Sequence, residues 1–141
     1  MELPRLIITG ASGFIGRQLL DYFKDEFKIV GLARRSQLHC GAPIHNNITW
    51  YQVDIGDRES LASAFDYIRE SGGADYVIHL AAHYDFTGDD NPEYWRTNVE
   101  GMRNVLEECR SLHLKRFIFS SSLAACAFPD HGDFLTEESP P

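Results

Sequence analysis

Short apolar runs alternate along the chain with longer stretches in which apolar residues recur every three or four positions, the pattern of strands alternating with amphipathic helices. Leu6-Ile7-Ile8 is the first run. It leads into Thr9-Gly10-Ala11-Ser12-Gly13-Phe14-Ile15-Gly16, after which Ile15, Leu19, Tyr22 and Phe23 fall at helical spacing. A second strand is expected over 27–32, ending at Ala33-Arg34-Arg35. The stretch from there to Asn47 carries Gly41 and Pro43 without a helical period and predicts an irregular connection. Residues 48–53, β-branched and aromatic, predict a third strand, followed by Asp57 as a helix cap and by Leu61, Ala64, Phe65 and Ile68 on one helical face. Gly72-Gly73 closes that helix and residues 75–81 predict a fourth strand. Asn91-Pro92 then reads as cap and first residue of a helix of about five turns, whose stripe of Trp95, Val99, Met102, Leu106 and Cys109 is assigned to the core. A fifth strand is expected at 117–119. Beyond Ser120-Ser121-Ser122 no regular pattern is legible.

Strands alternating with helices predict an α/β fold, a doubly wound parallel sheet in the order 3-2-1-4-5. Right-handed crossovers place the first helix on one face and the helices after strands 3 and 4 on the other. One face thus keeps a single helix, and a strand face needs cover, either from further chain or from a second copy. A homo-oligomer is the expectation.

At 141 residues the chain makes one domain, 1–141, and 43% apolar with 24% charged residues excludes disordered and collagen-like classes. The net charge of −8 argues against a general binder of nucleic acid or membrane surfaces. An anionic ligand must be held locally. Cys40, Cys109 and Cys126 are odd in number and scattered, which fits reduced thiols in a cytoplasmic protein and no metal site. The first residues lack the pattern of a secretion signal, and no apolar run is long enough to span a bilayer.

Gly10, Gly13 and Gly16 sit where the first strand turns into the first helix, so the turn can bring a pyrophosphate against the backbone at the helix amino end. An ordinary glycine turn is the alternative. No acidic residue stands at the end of strand 2, where a ribose hydroxyl would be held; Arg34 and Arg35 stand there instead, which suits a 2′-phosphate and favours NADP over NAD unless they are merely solvated. Asp54 is placed to accept from an adenine amino group with Ile55 against the ring, or simply to turn the chain. Leu80-Ala81-Ala82 ends strand 4 with small residues along which a dinucleotide can lie. His79 and His83 receive no chemical role.

Taken together, the glycine segment 9–16, His79-Leu80-Ala81-Ala82, Asn98-Val99-Glu100-Gly101 and Phe119-Ser120-Ser121-Ser122 resemble, in order, the motifs of extended short-chain dehydrogenase/reductases, the NAD-dependent epimerase/dehydratase proteins. The resemblance implies a Rossmann-like cofactor domain. By it Gly10, Ser12, Gly13, Phe14 and Ile15 would hold the pyrophosphate, Asp54 and Ile55 the adenine, and Leu80, Ala81, Ala82 and Ser120 other parts of the cofactor. Ser122 matches the family's catalytic serine. Asn98 matches a helix residue for which a structural hydrogen bond is expected.

The family's acid/base pair, Tyr-x-x-x-Lys, does not occur. Tyrosines stand at 22, 51, 67, 76, 84 and 94, and four positions later come Glu26, Ile55, Ser71, Leu80, Gly88 and Asn98. Leu135 to Pro140 resembles the segment that precedes the pair, so the chain is expected to be the N-terminal part of a longer enzyme, truncated before the catalytic helix. That enzyme would pass hydride between nicotinamide and a carbinol or carbonyl carbon of a small-molecule substrate, a nucleotide sugar being one option. The part alone is expected to be inactive, and its missing C-terminal part is the expected partner. The alternative is a non-catalytic sensor of NADP. Tyr84, Phe86 and Phe128 are candidates for the substrate pocket.

Overall fold

Continuous β-branched and aliphatic runs bury both faces of a strand, and such strands pair in parallel when helices return the chain. In the computed structural model, which describes residues 2–85, 87, 89–129 and 132–141, five such strands form one sheet. They are β1 (Arg5–Thr9), β2 (Lys28–Ala33), β3 (Ile48–Gln52), β4 (Tyr76–His79) and β5 (Arg116–Phe119), all parallel and in the order β3-β2-β1-β4-β5. Central β1 pairs through Arg5 with Lys28 and through Leu6 with Tyr76. The doubly wound parallel sheet expected from the alternation, with its strand order, is the one observed.

The two faces carry separate cores. Against one lie α3 (Arg58–Glu70) and α4 (Met102–Cys109), enclosing Ile7, Leu61, Phe65, Ile68, Val77 and Val105. Asp57 caps α3, its carboxylate accepting from the N–H groups of Glu59 and Ser60, and the four apolar residues expected on its inner face are all buried. Against the other face lies α1 (Phe14–Phe23), packed with Leu6, Ile8, Leu20 and Ile29.

Three expectations are corrected. The connection after β2 is not irregular throughout: Ser36 caps a single helical turn, α2 (Gln37–Cys40), too short to leave a periodic signature, and Cys40 and Ala42 join α1 in covering the sheet. The face that was to keep one helix therefore has two over β1–β3, whereas toward β5 Ile118, on the same face as Ile78, remains about half exposed. On α1 the buried residue is Leu20, and Tyr22 is 73% exposed. Leu19 and Phe23 of the expected face do pack against this core, partly buried, but the helix is rotated enough to turn Gly16 and Leu20 fully inward and Ile15 and Tyr22 out.

The third correction concerns the long helix. Residues Tyr94–Gly101 wind as a π-helix before α4 begins. Wider winding makes positions four apart, rather than the expected stripe, line up. The inward face is Thr97, Gly101, Val105 and Cys109, while Trp95 and Leu106 lie exposed. Leu20→Ala is expected to cost about 2–5 kcal/mol in urea unfolding, against less than about 1 kcal/mol for Tyr22→Ala. Equal losses would contradict this orientation of α1.

Candidate functional site

The strand order reverses at β1, and at the carboxyl ends of β1, β2 and β4 the two flanking connections part to leave a cleft of about 430 Å³. Its floor is backbone. Gly10 adopts φ +67°, and a Cβ there would come within 2.7 Å of Ala81 N and of the Leu80 carbonyl carbon, so the turn after β1 lies directly on the end of β4. Gly16 is equally constrained, since a Cβ would sit 2.5 Å from the Gly10 carbonyl oxygen. Two hydrogen bonds complete the turn, Gly13 N–H to Gly10 O and Ala11 N–H to Leu32 O. Gly13 stands before α1 with no side-chain cap, and the first N–H groups of α1 have no partner within the helix. Such an amino end, with no side chain in front of it, suits an anion.

The cleft brings together Gly10, Ser12, Gly13, Arg34, Arg35, Asp54, Ile55, Leu80, Ala81 and Ala82 of the expected cofactor residues. Phe14 and Ile15 follow at the start of α1 with exposed side chains that do not line it, leaving their backbone as the part near the turn. Thr97 also lines the cleft and was not anticipated. It is buried in the π-helical segment, and the four-residue spacing to Gly101 was the available signal.

Charges cluster on the rim beside Asp54. One Asp54 oxygen accepts from Gly56 N–H at 2.9 Å and the other from Arg96 Nη2 at 3.0 Å. Partial burial raises the Asp54 pKa, but these two donors outweigh it and hold the carboxyl below its ordinary value. Arg96 also reaches Glu93 at 3.2 Å, and Glu93 in turn stands 3.9 Å from Arg34. Arg35 instead donates to the Ser12 carbonyl at 2.6 Å, across the glycine turn, while the Trp50 indole N–H holds the Arg35 carbonyl. Asp54 thus both turns the chain at Gly56 and pairs with Arg96, and each arginine, though exposed, has a partner on the rim.

Beneath the cleft, Thr9 Oγ1 accepts from the N–H groups of Leu80 and Ala81, each at 3.2 Å, and lies 2.8 Å from His79 Nδ1. With both lone pairs engaged, the hydroxyl donates to Nδ1, which leaves the proton of a neutral ring on Nε2. Burial pushes the His79 pKa down to about 4. His79 is therefore a structural pin.

A second cleft adjoins the first and shares Ala81 and Ala82 with it. Ser120 and Ser122 line this one, together with His83, Tyr84, Asn98 and Phe119. Ser122 Oγ accepts from Ala124 N–H and caps a single 3-10 turn, Leu123–Ala125. Asn98 makes the expected structural bonds, accepting from His83 N–H and donating to its carbonyl. Phe128 is exposed outside the second cleft, and Phe86 lies outside the described residues. Among the described residues no group of His, Cys, Asp and Glu is placed to hold a metal, and no helix is long and apolar enough to cross a membrane.

A family profile described as NAD dependent epimerase/dehydratase matches residues 6–141. The chain is 32% identical over 130 residues to a dTDP-D-glucose 4,6-dehydratase of Dictyostelium discoideum, covering 85% of this chain and 29% of that protein. Among solved structures it is similar to a UDP-N-acetylglucosamine 4-epimerase from Methanobrevibacter ruminantium M1, with TM-score 0.79 and 26% identity over 99% of this chain and 44% of that one. It is similar also to the Bordetella bronchiseptica enzyme WbmG in complex with NAD, with TM-score 0.70 and 25% identity over 84% of this chain and 37% of that one. The chain thus spans less than half the length of each of these proteins.

The buried imidazole has a consequence in pH. An unfolded histidine takes up a proton near pH 6.5, whereas folded His79 resists to about 4, so stability falls as pH drops through that window. Unfolding by urea is expected to need about 2 kcal/mol less at pH 5 than at pH 7, and His79→Asn, whose amide oxygen takes the place of Nδ1 and can accept from Thr9, should abolish most of that slope. An unchanged slope in the variant would show that His79 is not the group held neutral.

Proposed function

The chain belongs to the NAD dependent epimerase/dehydratase family, and from that membership we propose that residues 1–141 form the dinucleotide-binding domain of a hydride-transferring oxidoreductase, with NADP preferred over NAD. The observation that carries the reading is the glycine turn: a floor of backbone at the amino end of α1, with no Cβ between it and the cleft. The Gly10–Gly13 turn and the first N–H groups of α1, at Phe14 and Ile15, would hold the diphosphate, with Ser12 beside it. Ala81 and Ala82 would pass the middle of the dinucleotide toward the second cleft, where Ser120 lies. Ile55 would pack on the adenine, and Asp54, kept ionised by Arg96, would accept from its amino group. Arg34 and Arg35 offer two guanidiniums to a 2′-phosphate, while the net charge of −8 over the whole chain gives no reason for general attraction of polyanions.

The nicotinamide, when bound, supplies the hydride donor or acceptor. Ser122 in the second cleft would bind the substrate oxygen beside it. Relatives named as epimerases and dehydratases of nucleotide sugars support that substrate class for the whole protein. None of the tyrosines in these 141 residues is followed four positions later by Lys, so turnover would require Tyr-x-x-x-Lys from chain beyond them. The half-exposed Ile118 and Phe119 edge favours self-association or cover by that further chain, and the free cysteines fit a cytoplasmic location.

Calorimetric titration of the 141-residue chain tests the reading. NADPH is expected to bind more tightly than NADH, and Arg34→Ala with Arg35→Ala should weaken NADPH by about tenfold or more and NADH by less than about threefold. Flat titrations with both dinucleotides would contradict the binding site, and equal losses would contradict the role of the arginines.

A further inference from the structure

Two arginines at the end of β2 look like two uncompensated charges, but the structure compensates one of them. Asp54, Arg96, Glu93 and Arg34 form a chain of alternating sign along the rim, linked at 3.0, 3.2 and 3.9 Å. Two carboxylates against two guanidiniums leave no net charge. Of the two arginines at the end of β2, Arg35, whose guanidinium donates to the uncharged Ser12 carbonyl, keeps its full positive charge. Glu93 is well anchored for this role. Arg96 Nη1 donates to both of its oxygens, at 3.3 and 3.2 Å, and the Thr97 hydroxyl, on the wall of the cleft, donates to Oε2 at 3.2 Å. Arg34 Nη1 approaches that same oxygen.

We propose that Glu93 is the specificity-determining residue of this cleft: it engages Arg34 and sets a fixed negative charge beside the place of a 2′-phosphate, tempering a preference for NADP that the two arginines alone would make strong. The inference rests on the proposed dinucleotide site and deepens it. A 2′-phosphate carries nearly two negative charges and must draw Arg34 from Glu93 while lying close to that carboxylate, whereas a 2′-hydroxyl asks neither. The side chains of Glu93 and Arg34 are 34% and 57% exposed, so solvent screens the effect without removing it. Discrimination between the two cofactors is thus divided between β2, which supplies attraction, and the start of the π-helical segment, which supplies opposition.

Titration of the 141-residue chain with NADPH and NADH tests this. Glu93→Gln is expected to tighten NADPH binding by about five- to tenfold and to change NADH by less than about twofold. The gain should shrink when Arg34 is already Ala. Glu93→Asp, which keeps the charge but draws it back by one methylene, should move NADPH in the same direction by a smaller factor and serves if the first variant does not fold. Equal loss of both cofactors in Glu93→Gln would assign Glu93 a purely structural role and overturn the inference. Unchanged NADPH affinity, with Arg34→Ala still weakening it, would also overturn the inference while leaving the dinucleotide site intact. Failure of the unmodified chain to bind either cofactor would overturn both.

Discussion

The close approach of the turn after β1 to the end of β4 is the constraint on which the carboxyl edge of the sheet depends. Gly10 lies so near Leu80 and Ala81 that no side chain fits between, and Thr9 closes the same seam from below by accepting from both of their N–H groups. The Thr9 proton then has one place to go, His79 Nδ1, and the imidazole must stay neutral to receive it. A buried polar cluster so fully satisfied is rigid. What rests on it is a cleft floored by main chain at a helix amino end, able to attract a diphosphate in a protein whose overall charge is −8.

The ionic chain on the rim serves a different end. Its members are partly exposed, and surface ion pairs of this kind contribute little to folding, typically about 0–1 kcal/mol each. Their position gives them weight. They hold Asp54, Glu93 and Arg34 around the cleft, and under the proposed reading a dinucleotide with a 2′-phosphate would meet a different balance of charge there from one without. The π-helical winding matters for the same reason, since it brings Glu93, Thr97 and Gly101 to one side, with Gly101 close against Ile55.

Much of this was legible in the chain. The continuous strands, the Asp57 cap with its four inward residues and the glycine segment each agree with a single local rule, and each lies where expected. The cleft residues from Gly10 to Ala82 were legible because spacing and strand ends place them. Legibility ended where a local rule met a longer-range one. Tyr22 yields to Leu20 because Gly16 dictates the rotation of α1. Trp95 and Leu106 turn outward because the helix is wound as π over Tyr94–Gly101, which no simple apolar period announces. Arg96 and Glu93, which also pair with each other, were not legible as cleft residues because the partners that tie them to it, Asp54 and Arg34, are distant in sequence, Asp54 forty-two positions from Arg96. α2 escaped because one turn has no period.

A diphosphate resting on the backbone of the glycine turn, as proposed above, must perturb that backbone. Amide chemical-shift mapping of the ¹⁵N-labelled chain during titration with NADPH tests it most directly. The largest shifts are expected at the N–H groups of residues 11–15, with a second group at 80–82. Saturable binding that leaves those amides unmoved, with the shifts gathered on another face of the sheet, would contradict it.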